Sequence, residues 1–186
     1  ADRLANKDAQ SAAAWAARRL FGHNAEYVPL AHGKIPDGFP FKDEGILFLD
    51  ICLPREQMLE IQKNAAFLKV YDHHKTAEAD LLDFPAAEGT SVVFDMHRSG
   101  AGIAWDVIHR VNSPTCYECG ARATVSNEHQ PGCPVRRPWF INYVEDRDLW
   151  KFALPDSKPI NAFIGTLKLD FKEWDQLEHI TPLAAT

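Results

Sequence analysis

Three short apolar runs, each closed by an acid, constrain this chain more than any other feature. They are residues 45–50 (GILFLD), 67–72 (FLKVYD) and 92–95 (VVFD). Compact apolar runs of this length suit strands covered on both faces, as in a parallel sheet. Helical patterns separate them. Pro54 to Asn64 places Pro at a helix start and carries Met58, Leu59 and Ile61. Gly102 to Arg110 is a second helical stretch, after the third run. Strands alternating with helices predict an α/β fold with a mostly parallel sheet flanked by helices. In such sheets ligands bind outside the carboxyl ends of the strands. Asp50 and Asp72 are therefore expected to meet at one edge, though distant in sequence.

The rest of the chain fits around that sheet. Residues 9–21 (AQSAAAWAARRLF) predict a helix closed by Gly22. Glu26 to Leu30 predicts a short edge strand, because its Pro lacks a ladder donor. A loop with Gly33, Pro36, Gly38 and Pro40 follows. Helical stretches are expected at Trp139–Phe152, Ile160–Leu167 and Lys172–Leu177. Between residues 113 and 137 the composition turns to Cys, Gly, Pro and polar residues. The expected organisation is a main domain over 1–112 and 138–186, with an insertion at 113–137.

Composition removes several classes of function. At 186 residues, with 46% hydrophobic and 25% charged residues, the chain can bury a core and is not a disordered segment. No apolar run approaches a membrane span and no signal peptide opens the sequence, so an intracellular, cytoplasmic protein without a membrane partner is expected. The net charge of -6 argues against a broad basic face gripping long nucleic acid. A small anionic substrate would have to be met by metal ions or a local cationic pocket.

The cysteines divide unevenly. Cys52 stands alone, whereas Cys116-x2-Cys119-x9-His129-x3-Cys133 gathers three thiols and an imidazole in one polar segment. Three soft sulfurs and one nitrogen form the pattern of a structural Zn²⁺ site, with all four positions filled by protein. The bland alternative is three free thiols and a surface histidine. A Gly/Pro-rich segment without a core of its own favours zinc, which would contribute on the order of 10–16 kcal/mol to ordering it. Such a knuckle would border the active cleft or dock a protein partner. Arg122, Arg136 and Arg137 lie in it, but three arginines without stacking aromatics are weak evidence for nucleic-acid contact.

The tripeptide Asp72-His73-His74 carries the most chemistry. A strand-end acid with two imidazoles, joined by Asp50, offers oxygen and nitrogen donors suited to Mn²⁺, Mg²⁺, Fe²⁺ or Zn²⁺. The alternative is that Asp72 caps a turn and Asp50 a helix. Five stretches bear on the choice: residues 12–30 (AAAWAARRLFGHNAEYVPL), 46–58 (ILFLDICLPREQM), 69–81 (KVYDHHKTAEADL), 93–108 (VFDMHRSGAGIAWDVI) and 143–164 (YVEDRDLWKFALPDSKPINAFI). In this order they resemble the DHH phosphoesterase superfamily, and most of all its phage and bacterial oligoribonuclease-like members.

The resemblance implies a dinuclear Mn²⁺ site, or Mg²⁺, that activates water to attack a phosphodiester. Two ions about 3.5–4 Å apart would clamp the attacking and leaving oxygens. By motif, Asp50 would bridge the metals, His73 would ligate one, and Asp146 would complete its shell, with Asp148 of the same turn as competitor. Asp72 would orient His73, and His74 would face the scissile phosphate. Arg98 would stabilise charge there, with Ser99 and Gly100 in the phosphate-proximal segment; the competing role for Arg98 is a pair with Asp95.

The family's first motif carries a His, two acids and a Gly. Here Leu4, Asn6, Ala9 and Gln10 stand at those positions, with Asp8 one residue away and Asp2 further upstream as replacement ligands. Many relatives also continue into a small C-terminal substrate-binding domain; this chain is expected to work as a single-domain version, or to have that domain removed or supplied by a partner. The expected function is a Mn²⁺-dependent hydrolase, a nuclease or phosphodiesterase that cleaves short oligonucleotides or related small phosphodiesters. The alternative is a catalytically degenerate DHH domain used for binding or assembly.

Overall fold

All three acid-terminated runs form strands: β1 (Gly45–Leu49), β2 (Phe67–Asp72) and β3 (Thr90–Phe94). They make a parallel sheet in the order β1-β2-β3, with Leu49 opposite Tyr71 and Asp72 opposite Phe94. The computed structural model describes residues 2–30, 35, 38–39, 41–108, 136–168 and 170–182, with the backbone alone at 2–8, 20 and 23. The strands end level with one another. Asp50 N–H donates to Tyr71 O at 2.9 Å and Asp95 N–H to Asp72 O at 3.3 Å, so Asp50, Asp72 and Asp95 share the carboxyl edge.

Side chains alternate between the two faces, as strand geometry requires. Ile46, Phe48, Leu68 and Val70 pack with Met58 and Ile61 of helix α2 (Arg55–Asn64). Leu47, Leu49, Tyr71 and Val93 face the larger core on the other side. Both faces are covered, and the α/β architecture follows.

The larger core rests on α1 (Asp2–Phe21) and α4 (Gly100–Ile108). Ala9, Ala12, Ala13 and Ala16 are buried at helical spacing and give α1 a smooth face that lets α4 approach closely. Trp15 stacks on Trp105 at 5.9 Å and meets Phe140 of α5 (Trp139–Asp148) edge-on at 4.8 Å. Replacing a fully buried Trp15 by Ala would cost about 3–5 kcal/mol. The chain continues through α6 (Ser157–Ile164) to α7 (Phe171–Gln176), where Asp175 accepts from Trp15 Nε1 at 2.9 Å and from Arg18 Nη1 at 3.0 Å. That pair of contacts fastens α7 to α1.

Several local expectations change. Residues 26–30 form no strand; Tyr27 instead packs edge-on against Phe171 at 4.9 Å and its hydroxyl donates to Gly22 O. A short helix, α3 (Lys75–Asp80), directly follows the Asp-His-His sequence. Helix α5 stops at Asp148 rather than Phe152, because Trp150 and Phe152 adopt left-handed backbone angles, φ 54° and 45°. Residues 109–135, with Cys116, Cys119, Arg122, His129 and Cys133, lie outside the described residues, as does the side chain of Asp8. Arg137, at the end of the expected insertion, is buried against α4 and α5. Among the described residues no helix is long and apolar enough to cross a membrane.

Candidate metal centre

Asp50 follows β1 at φ 58°, a left-handed conformation that Asp tolerates better than most side chains. The bend drops its carboxylate into the protein, where it is 1% exposed. Gly100, the first residue of α4, permits this. A Cβ on Gly100 would overlap the Cα, Cβ and Oδ1 of Asp50. The small residue expected near a phosphate is therefore required first by the carboxylate itself.

His73 Nε2 lies 3.2 Å from Asp50 Oδ1 and 3.1 Å from Asp148 Oδ2, at the end of α5. One ring nitrogen thus faces two carboxylates and is aligned on neither. His73 Nε2, both Asp50 oxygens and Asp148 Oδ2 are buried without a hydrogen-bond partner of good geometry. Buried polar atoms are nearly always satisfied, so four together at one corner call for an explanation. Their chemistry, carboxylate oxygens gathered on one imidazole nitrogen, is of a kind that divalent cations accept. Asp50, His73 and His74 also bring ligand atoms within 4.8 Å of one another.

Electrostatics follow the same geometry. Burial raises the Asp50 carboxyl well above the usual range; His73 opposes this and the charge of Asp148 adds to it. Burial alone would depress the His73 imidazole, but hydrogen bonding and attraction from Asp148 and Asp50 prevail and push it up to about 10. Without a metal, the proton on His73 is the cation that holds the two carboxylates together.

Asp72 does something different from orienting the His73 ring. Its Oδ1 accepts from His73 N–H at 2.7 Å and His74 N–H at 3.3 Å, and lies 2.6 Å from His74 Nδ1. The carboxylate fixes the turn and the ring of His74. Hydrogen bonding to Asp72 outweighs burial and raises the His74 imidazole above its ordinary value. With 29% of its side chain exposed against 10% for His73, His74 is the more accessible of the two.

The acids of α5 also divide their work. Asp146, expected beside His73, is buried and turned the other way. It accepts from Ala153 N–H at 2.9 Å, Leu154 N–H at 3.3 Å and the Ser157 hydroxyl at 2.5 Å. Residues two apart on a helix point about 200° apart, so only one of the pair can face the sheet edge. Asp148 does.

Arg98 takes its competing role. Its Nε donates to Asp95 at 2.7 Å and its Nη1 to Asp106 at 3.1 Å. Asp106 also accepts from Arg137 Nη2 at 2.6 Å, and Arg137 Nη1 donates to Glu145 at 2.8 Å. Glu145 in turn accepts from Ser99 N–H at 3.0 Å. Ser99 is buried in this network, and Gly102 leaves room for Glu145, since a Cβ there would strike its Oε2. Asp106 and Glu145 were not legible as partners from sequence; nothing in their local spacing marks them. Cys52, two residues past Asp50, stays a thiol, its pKa pushed up to about 12 by burial and the charge of Asp72.

Comparison with known proteins adds one relative. Over 155 residues the chain is 23% identical to an uncharacterised protein of Acanthamoeba polyphaga mimivirus. The match covers 80% of this chain and 31% of the viral protein, so the chain spans about a third of that relative's length. No family model matches the chain, and no solved structure does.

Proposed function

We propose that this chain is a divalent-metal-dependent phosphoesterase of the DHH type, acting on short oligonucleotides or related small phosphodiesters. One observation carries the reading: Asp50 and Asp148 bring buried carboxylate oxygens within 3.2 Å of His73 Nε2, and none of these atoms has a well-aligned hydrogen bond. These three residues would hold Mn²⁺ or Mg²⁺, and Asp148 takes the place that the resemblance assigned to Asp146. A cation bound there supplies charge neutralisation of the phosphate and acidification of water. The chain's own residues do the rest. Asp72 holds the His74 ring at Nδ1, and that oriented imidazole would donate to charge developing on a phosphate oxygen. Arg98, anchored by Asp95 and Asp106, keeps a fixed positive charge on the same edge of the sheet. The described side chains furnish donors for one ion; a second, as in the resembled family, would draw on Asp8.

One observation favours the degenerate alternative. Ala9 occupies an acidic position of the resembled first motif and is fully buried in the core, so it contributes no ligand. A single assay separates the readings: hydrolysis of two- to five-nucleotide RNA with Mn²⁺, alongside metal binding. His73→Ala is expected to lose both metal and turnover. His74→Ala is expected to keep metal and lose about 10²–10⁴ in turnover. Metal binding without any turnover by the unmodified protein would support the binding module instead. A structural Zn²⁺ at Cys116, Cys119, His129 and Cys133 belongs to the same proposal, with about one zinc per chain expected by elemental analysis and less in Cys119→Ser.

A further inference from the structure

Trp150 is 80% exposed, the most exposed large hydrophobic among the described residues. It sits two residues beyond Asp148, so its Cα lies at most about 7.6 Å from that of a residue in the metal corner. Its position is held by specific contacts. Trp150 N–H donates to Arg147 O, while Lys151 N–H and Phe152 N–H both donate to Asp146 O. The Asp146 side chain, facing away from the metal corner, ties down Ala153, Leu154 and Ser157. Asp146 thus anchors the turn that carries Trp150.

Two features separate this turn from an ordinary helix end. Both Trp150 and Phe152 have positive φ, 54° and 45°, a conformation that bulky side chains rarely adopt and that Gly or Asn would take more readily. Aromatic rings stand at the two positions least suited to them. The rings meet edge-on at 5.8 Å, and Lys158 Nζ lies 5.6 Å from the Phe152 ring. Lys151 and Lys158 are exposed, against one exposed carboxylate in the stretch, Asp156, so the patch is locally basic on a chain of net charge -6. Aromatic faces interleaved with lysines are how single-stranded nucleic acid is gripped without sequence preference.

We infer that Trp150, backed by Phe152 and flanked by Lys151 and Lys158, is a stacking platform for a nucleobase next to the scissile phosphate. The substrate class is then a short single-stranded oligonucleotide rather than pyrophosphate or inorganic polyphosphate. This rests on the phosphoesterase reading for its chemistry, but the binding it asserts is measurable without turnover.

The test uses the full chain, a dinucleotide, and the same dinucleotide with abasic residues. Affinity is read by calorimetry with Ca²⁺ present, and kcat/KM is read with Mn²⁺. Wild type should prefer the dinucleotide, and Trp150→Ala should reduce that preference by roughly 5- to 150-fold, the loss expected for one stacked base. Trp150→Phe should restore most of it. Equal affinity of wild type for the two ligands, no binding of either, or an undiminished preference in Trp150→Ala would overturn the platform. Dinucleotide binding through Trp150 without hydrolysis would leave the platform standing and remove the phosphoesterase reading. Equal hydrolysis of both substrates would do the reverse.

Discussion

Two buried clusters of charge lie within a few residues of each other and are built on opposite principles. Along α4 and α5, Asp106 and Glu145 meet Arg137, and Asp106 also meets Arg98. Each carboxylate there faces a guanidinium at hydrogen-bonding distance. At the sheet edge, Asp50 and Asp148 face a single imidazole, aligned on neither. In the first cluster each carboxylate has a guanidinium hydrogen bond; in the second, two carboxylates share one imidazole. Charge burial is costly unless paired, so two carboxylates sharing one imidazole is the arrangement that a bound cation would relieve.

Arg137→Ala should break the guanidinium cluster with the largest effect, about 3–5 kcal/mol, because it leaves Glu145 without a cation and Asp106 with Arg98 alone. Chemical denaturation reads this loss, while Mn²⁺ affinity of the folded fraction should stay within a few-fold. Asp50→Asn should do the opposite. Asn accepts the left-handed backbone, so metal affinity should fall at least about 100-fold, beyond the 10- to 100-fold typical of an outer partner. The metal-free variant should be more stable by about 0.5–2 kcal/mol, since one of two facing carboxylates is gone. A drop in its melting temperature would contradict the claim that the two carboxylates share one imidazole at a cost.

Gly100→Ala sharpens the link between α4 and the corner. The added Cβ must displace Asp50, costing about 1–3 kcal/mol and weakening metal binding together with stability. Loss of stability with intact metal affinity would mean Asp50 is less committed than its burial suggests.

A further effect is in protons. His73, raised to about 10, carries a proton at neutral pH that a metal must displace. Mn²⁺ affinity should therefore rise about tenfold per pH unit from near 7 toward 10, with close to one proton released per site in weakly buffered calorimetry. The metal-free fold runs the other way: the raised pKa contributes stability below about 6.5 that is lost as pH climbs through about 10. A flat pH response would remove His73 from the ligand set.

Much of this was legible in the sequence, and what was not has physical reasons. The parallel sheet and its acid-bearing edge follow from three apolar runs and their terminal Asp residues. Which of Asp146 and Asp148 lies beside His73 turned on helical phase, which motif matching leaves undetermined when both acids share one turn. The strand expected at 26–30 gave way to packing of Tyr27 on Phe171, a tertiary contact between residues 144 positions apart. Asp72 was expected to serve His73, but the backbone turn after β2 brings His74 Nδ1 to its oxygen instead. The Arg137 network was invisible for the same reason: its partners come from separate helices and carry no local spacing.

The most direct test titrates Mn²⁺ into wild type, Asp148→Asn and Asp146→Asn by calorimetry. The metal-corner account predicts binding by wild type, a loss of at least about 100-fold in Asp148→Asn, and near-normal affinity in a less stable Asp146→Asn. Absence of binding to wild type, or loss in Asp146→Asn with Asp148→Asn unaffected, would contradict it.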